Sequence, residues 1–183
     1  MDITPNLVAT RFAELNSGDL FVCPDEAGPY VAILTTDPTA NGNKLALRLG
    51  PTFEPNTQFP ALKNCPPSLM VLSFGKDYSL RLPCNTSGWL TTEPSEGPCL
   101  LLQQHKLFLR GLFRFYGVRP TLCYIGVPDG VIYTVRSASG RNELSHPGLE
   151  CACAVEWAFL TTESLPRVIL SFPLDNSSKV DAG

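Results

Sequence analysis

Proline and glycine interrupt this chain more often than a mainly helical protein would allow. Seventeen prolines and fourteen glycines are spread over 183 residues, and both residue types weaken helix interiors. Between them lie short apolar runs bounded by turn residues, the pattern of strands joined by tight turns. The chain is therefore expected to be all-β, with antiparallel hairpins forming one or more small barrels from repeated units. A β-trefoil-like arrangement of three units is the alternative, since closing a sheet removes its free edges.

One helix is expected, at the N-terminus. Thr4 before Pro5 has the form of a capping hydroxyl followed by proline at the first helical position. Leu7, Val8, Arg11, Phe12 and Leu15 then recur at helical spacing up to the stop at Asn16-Ser17-Gly18. Beyond it, Leu20 to Cys23 and Tyr30 to Leu34 are apolar runs separated by Pro24, Asp25, Gly28 and Pro29. That spells a hairpin. Asn41-Gly42 is a further turn. From Lys44 to Gly50, Leu45, Leu47 and Leu49 alternate with Lys44, Ala46 and Arg48, which predicts a half-buried strand. Residues 50–67 are proline-rich, which argues for a packed surface loop and against a central strand.

Two later stretches share an order. "SLMVLSFGKDYSLR" (68–81) and "TLCYIGVPDGVIYTVR" (121–136) each read as an apolar strand, a turn and a return strand. Tyr78/Tyr133, Ser79/Thr134 and Arg81/Arg136 keep their phase, and phase decides which face a side chain takes. Trp89 and Trp157 each precede "LTTE", at 90–93 and 160–163, and "LTTD" occurs at 34–37. The phrase reads as strand-end turn chemistry, with Thr and carboxylate oxygens bonding nearby backbone. In 99–117, Leu102, His105, Leu109, Leu112, Phe113 and Tyr116 fit a helical stripe, while Gln103 to His105 also suit a turn between two short strands; the match of "KLFLR" (106–110) to "KLALR" (44–48) selects strands. The expected organisation is a small N-terminal β unit over 1–60 and a duplicated unit over 61–183. Its copies lie near 68–115 and 121–174, and the tail 175–183 is expected to be disordered.

An apolar fraction of 44% and a net charge of −3 describe a globular chain whose surface as a whole does not grip nucleic acid. No run approaches the ~18 apolar residues a membrane span needs, and residues 1–12 lack a signal-peptide core. A cytoplasmic protein without membrane contact is expected. The seven cysteines, an odd number without framework spacing, are then read as free thiols. No phosphate-cradling glycine motif is present, and no cofactor is expected.

Three functional readings follow. The first is a binding or interaction module without catalysis, with a protein partner or a second copy of itself. The second is single-stranded nucleic-acid binding through 106–141. There Lys106, Arg110, Arg114, Arg119, Arg136 and Arg141 meet one acid, Asp129, and interleave with Phe108, Phe113, Phe115, Tyr116, Tyr124 and Tyr133. Bases stack on such aromatic platforms; the plainer reading makes the aromatics core and the arginines their opposite face. The third is a thiol or metal site in the 137–154 insertion, where His146, Cys151 and Cys153 lie close together, flanked by Arg136 and Arg141. A structural zinc wants four ligands, and C-x-C is tighter than its usual spacing. Buried cysteines acting as small apolar side chains explain the pair equally. No metal ligands and no catalytic residues are assigned.

Overall fold

The computed structural model describes residues 7–26, 28–36, 44–50, 60–84, 89–90, 99–103, 105–113, 121–134, 152–154 and 156–172. Strand accounts for 65% of them and helix for 3%, so the chain is all-β.

The elements open with β1 (Val8–Arg11), a single 3-10 turn (Phe12–Glu14), β2 (Leu20–Cys23), β3 (Tyr30–Thr36) and β4 (Lys44–Gly50). Next come β5 (Ala61–Lys63), β6 (Met70–Gly75), β7 (Tyr78–Arg81), β8 (Trp89–Leu90) and β9 (Leu100–Gln103). The rest are β10 (Lys106–Phe113), β11 (Thr121–Val127), β12 (Ile132–Thr134), β13 (Ala152–Ala154), β14 (Trp157–Thr161) and β15 (Val168–Phe172). Twelve strands make one sheet in the order β1-β6-β2-β3-β4-β5-β10-β9-β13-β8, with β11 on β10 and β12 on β11. The other three form a small sheet, β15-β14-β7.

The expected N-terminal helix is replaced by strand. Val8 to Arg11 pair with Ser73 to Met70 on β6, and only one turn of 3-10 helix follows. The Glu14 carboxylate fixes that turn by accepting bonds from the Thr10 hydroxyl (2.7 Å) and the Arg11 N–H (3.2 Å). Phe12 and Leu15 are buried while Val8 is exposed, so the apolar spacing served one turn and not a helix. Lys44 on β4 holds the loop down, its Nζ donating to the Ala13 (2.6 Å) and Leu15 carbonyls.

The barrel expectation is also corrected. One apolar cluster gathers Leu20, Ile33, Leu47, Leu109, Ile125 and Phe159 from both halves of the large sheet and from the small one. The sheet therefore bends around a shared interior, but no barrel closes among the described residues. Just before β12, Val131 forms an isolated parallel bridge with Thr36 at the end of β3. Nor is a β-trefoil, which needs a closed barrel, seen among the described residues.

The 68–81 stretch does not form the hairpin its sequence suggests. Both edges of β6 are taken, by β1 and by β2, which leaves none for β7. After Gly75, at φ +59°, the chain leaves the large sheet, and β7 pairs with β14 instead. The 121–134 stretch is a true hairpin, with Tyr124 opposite Tyr133. The two tyrosines consequently meet different partners. Tyr78 packs edge-on against Phe159, centroids 5.2 Å apart, and its hydroxyl donates to the Gly18 carbonyl at 3.0 Å. Tyr133 packs against Phe108 at 5.3 Å, in a separate cluster. Among the described residues the two stretches are thus not structural counterparts.

Other expectations fare differently. The 20–34 hairpin forms as β2 and β3, and 100–103 and 106–113 form strands. Against the expectation for the proline-rich 50–67 region, a strand inside the large sheet does arise from it: β5 lies between β4 and β10. It fits because Ala61 to Lys63 contain no proline, while Pro60 contributes only its carbonyl, which accepts the Leu112 N–H at 2.7 Å. β4, expected to be half-buried, is covered on both faces, Ala46 and Arg48 included. Strand pairing crosses residue 60 at β1·β6, β2·β6 and β4·β5.

A compact junction joins the two ends of this bend. The Ser17 hydroxyl donates to the Asp129 carbonyl at 2.6 Å and lies 3.1 Å from the Thr36 hydroxyl. The Thr36 N–H donates to the Gly130 carbonyl, and the Gly18 N–H to that of Leu34. Gly18 and Gly130 both have positive φ, +88° and +68°. The 127–131 turn thus sits on the 17–18 turn, backbone against backbone.

Candidate functional site

Of the residues singled out in the sequence, His146, Cys151, Arg136, Arg141, Arg114 and Arg119 lie outside the described residues. Cys153 sits in β13, fully buried beside Leu101, Phe108 and Tyr124. There it behaves as a small apolar side chain. Lys106 is exposed at the start of β10, but Arg110 on the same strand is only 2% exposed, directly opposite Tyr124. Phe108 and Tyr124 are buried as well. The described part of the 106–141 stretch therefore offers Lys106 to solvent and keeps Arg110 and these two aromatic rings inside. Among the described residues no group of three or more His, Cys, Asp or Glu side chains is placed to hold a metal ion. No described helix is long and apolar enough to cross a membrane.

A constellation the sequence did not announce lies on the other face of the large sheet. Cys23 ends β2, and its direct cross-strand partner is Tyr30, which opens β3. Directly opposed residues share a face, so both point into the cluster with Phe12, Phe21, Ala32 and Val71. Cys65, in the segment between β5 and β6, packs against that cluster. Its sulfur lies 3.9 Å from the Tyr30 hydroxyl, while the Cys23 thiol donates to the Pro24 carbonyl at 3.6 Å. Cys23 is 1% exposed, whereas Cys65 is half-buried.

Charges surround the tyrosine ring. The Arg48 guanidinium stacks over it, Cζ 4.4 Å from the centroid, and pairs with the Asp25 carboxylate at 3.1 Å. Lys63 Nζ lies 6.0 Å from the same ring. A cation over an aromatic face is attracted by the ring quadrupole, the more so when desolvated. The period-two pattern of β4 puts Arg48 on the face opposite Leu47 and Leu49, and the pairing of β4 with β3 carries it to Tyr30.

This setting separates the two thiols. The hydrogen bond from Cys65, helped by those from Tyr30 and by the Lys63 charge, brings Cys23 down to about 7, against burial and the Asp25 charge. Cys65 is pushed up, first by giving its hydrogen bond to Cys23 and then by burial. Burial, with the two thiols beside it, raises Tyr30. Cys123, buried among aliphatic side chains with no such partners, is pushed up to about 12. The Cys65 thiol and Lys63 thus favour the ionised form of Cys23 over that of Cys123, and reactivity belongs to the thiolate.

Comparisons with protein-family models, curated proteins and solved structures return no match for this chain.

Proposed function

We propose that this chain is an interaction module without catalysis that pairs with a second copy of itself through β1. One observation carries the reading: an apolar row that runs uncovered to a free strand edge. In directly opposed register, Val31 on β3 meets Val22 on β2, Val22 meets Leu72 on β6, and Leu72 meets Ala9 on β1. Cover falls away along the row, from Val31 at 8% exposed to Leu72 at 44%, with Met70 beside it at 51%. Among the described residues β1 pairs only with β6. Its four-residue ladder carries no bulge and no proline, and Arg11 is its one charge. Such an edge is a template for another strand.

A second copy is the occupant that extends the row. Antiparallel pairing of β1 with its symmetry mate, about a two-fold axis at Ala9, keeps faces aligned. It places Leu72, Ala9 and their two counterparts side by side. The interface is isologous, as in most homodimers. A cytoplasmic location goes with this reading.

Sedimentation over a range of protein concentrations tests it. The wild-type chain is expected to shift from monomer to dimer. Ala9→Lys sets two like charges across the axis and weakens the dimer at least about tenfold, without changing the melting temperature, since Ala9 is exposed. A wild-type chain that stays monomeric, or a variant that pairs as well as wild type, sinks the proposal. A monomer whose mobility shifts with single-stranded oligonucleotides, in a salt-sensitive way, puts nucleic-acid binding in its place.

A further inference from the structure

We propose that Cys23 and Cys65 are a redox-active dithiol, which a hydroperoxide oxidises to one intramolecular disulfide tying β2 to the segment before β6. The pairing in space is the basis. Cys23 and Tyr30 are fixed opposite each other by the β2·β3 ladder, Tyr30 touches Cys65, and Cys65 packs against the cluster to which Cys23 and Tyr30 both belong. Both are free. The segment that bears Cys65 is itself anchored, because the Phe12 and Ala13 N–H groups donate to the Leu69 (2.8 Å) and Pro67 (3.1 Å) carbonyls. A link at Cys65 therefore fastens β2 to the structure that holds β1 in place.

The other described cysteines are placed differently. Cys99, Cys123 and Cys153 are buried as Cys23 is, but among the described residues only Cys23 shares its cluster with a partly exposed cysteine, and Cys84 is exposed with its thiol toward the Leu82 carbonyl. Cys65 is the partly exposed member of the pair, and a small peroxide enters from its side. Lys63 supplies positive charge toward both thiols, opposed at Cys23 by Asp25, and Arg48 stacks over the Tyr30 ring and pairs with Asp25. Electropositive, hydrogen-bonded surroundings of this kind mark oxidation-prone thiolates.

The chemistry balances in two steps. The Cys23 thiolate attacks one peroxide oxygen; an S–O bond forms, the O–O bond breaks, and the departing oxygen takes a proton and leaves as water or alcohol. Cys23 is then a sulfenic acid. Cys65, losing its proton, attacks the Cys23 sulfur; the S–S bond forms, the S–O bond breaks, and the hydroxide takes that proton as water. Two thiols have given two electrons to one O–O bond.

The test treats the full wild-type chain with hydrogen peroxide, caps the remaining thiols with a maleimide, and maps peptides without reduction. A Cys23–Cys65 cross-link, a mass loss of two hydrogens, and reversal by dithiothreitol are expected. The oxidised chain should melt several degrees higher, because the link closes a long loop. The oxidation rate should rise with pH through about 7, where Cys23 deprotonates in the company of Cys65, Tyr30, Asp25, Lys63 and Arg48. Cys65→Ser should leave a Cys23 sulfenic acid that dimedone captures, and Cys84→Ser should leave the cross-link intact. Peroxide that leaves both residues open to maleimide, or oxidises them without joining them, overturns the proposal.

Discussion

Gly18→Ala is expected to lower stability by about 3–5 kcal/mol, through strain and overlap acting together. At φ +88° an L side chain is poorly accommodated. A Cβ built there would also overlap the Pro128 carbonyl oxygen, with the Pro128 carbonyl carbon at 2.8 Å. These are backbone atoms, held by the Ser17–Asp129 and Thr36–Gly130 hydrogen bonds, so they cannot swing aside as a side-chain tip can. Gly130 is the reciprocal position, where an added Cβ meets the Leu34 carbonyl and the Ser17 hydroxyl, both at 2.5 Å. Gly75→Ala is the control. Its φ is +59°, but nothing lies within 4 Å, so strain alone costs about 1–2 kcal/mol. Urea unfolding of the three variants would read the difference. Equal losses at Gly18 and Gly75 would mean that the 127–131 turn does not rest on the 17–18 turn.

Phe159→Ala should cost a similar amount, about 3–5 kcal/mol, for a different reason. Phe159 is fully buried in the central strand of the small sheet. Its ring meets Trp157 at 5.5 Å and Tyr78 at 5.2 Å, both edge-on. It belongs to the same cluster as Leu20, Ile33 and Leu47 of the large sheet. Truncation removes the buried ring and leaves a void that rigid ladders on both sides cannot fill. The melting temperature should fall by on the order of 10 °C. Leu165→Ala, at a side chain 82% exposed, should leave it unchanged. If Phe159→Ala melted like Leu165→Ala, the two sheets would not share a core.

The local parts of the fold were legible because local residues write them. Pro24, Asp25, Gly28 and Pro29 announce the turn between β2 and β3, and Pro128-Asp129-Gly130 announces the one between β11 and β12. What the residues cannot write is which edge a strand will find. Gly75-Lys76-Asp77 reads alike whether the chain doubles back or leaves for another sheet, and only the occupation of both β6 edges decides it. Burial has the same limit. Alternation in "KLALRLG" identifies two faces but not what covers them, so Arg48 looked solvated until Tyr30 and Asp25 stood around it. The Cys23–Cys65 pair was invisible for that reason too: its members come from a hairpin end and a distant proline-rich segment, and only the β2·β3 ladder and the packing of that segment bring them together. The legible sign was partial, a cysteine beside the Pro24-Asp25 turn.

The departure of β7 from the large sheet has a consequence for synthesis on the ribosome. β7 is made in the first half of the chain, and its partner β14 lies near the far end of the described residues. Until that partner emerges, Leu80 and the ring of Tyr78 lack the surface they pack on. The nascent chain must then carry an orphaned strand until β14 has been made, which makes this interval an aggregation-exposed period.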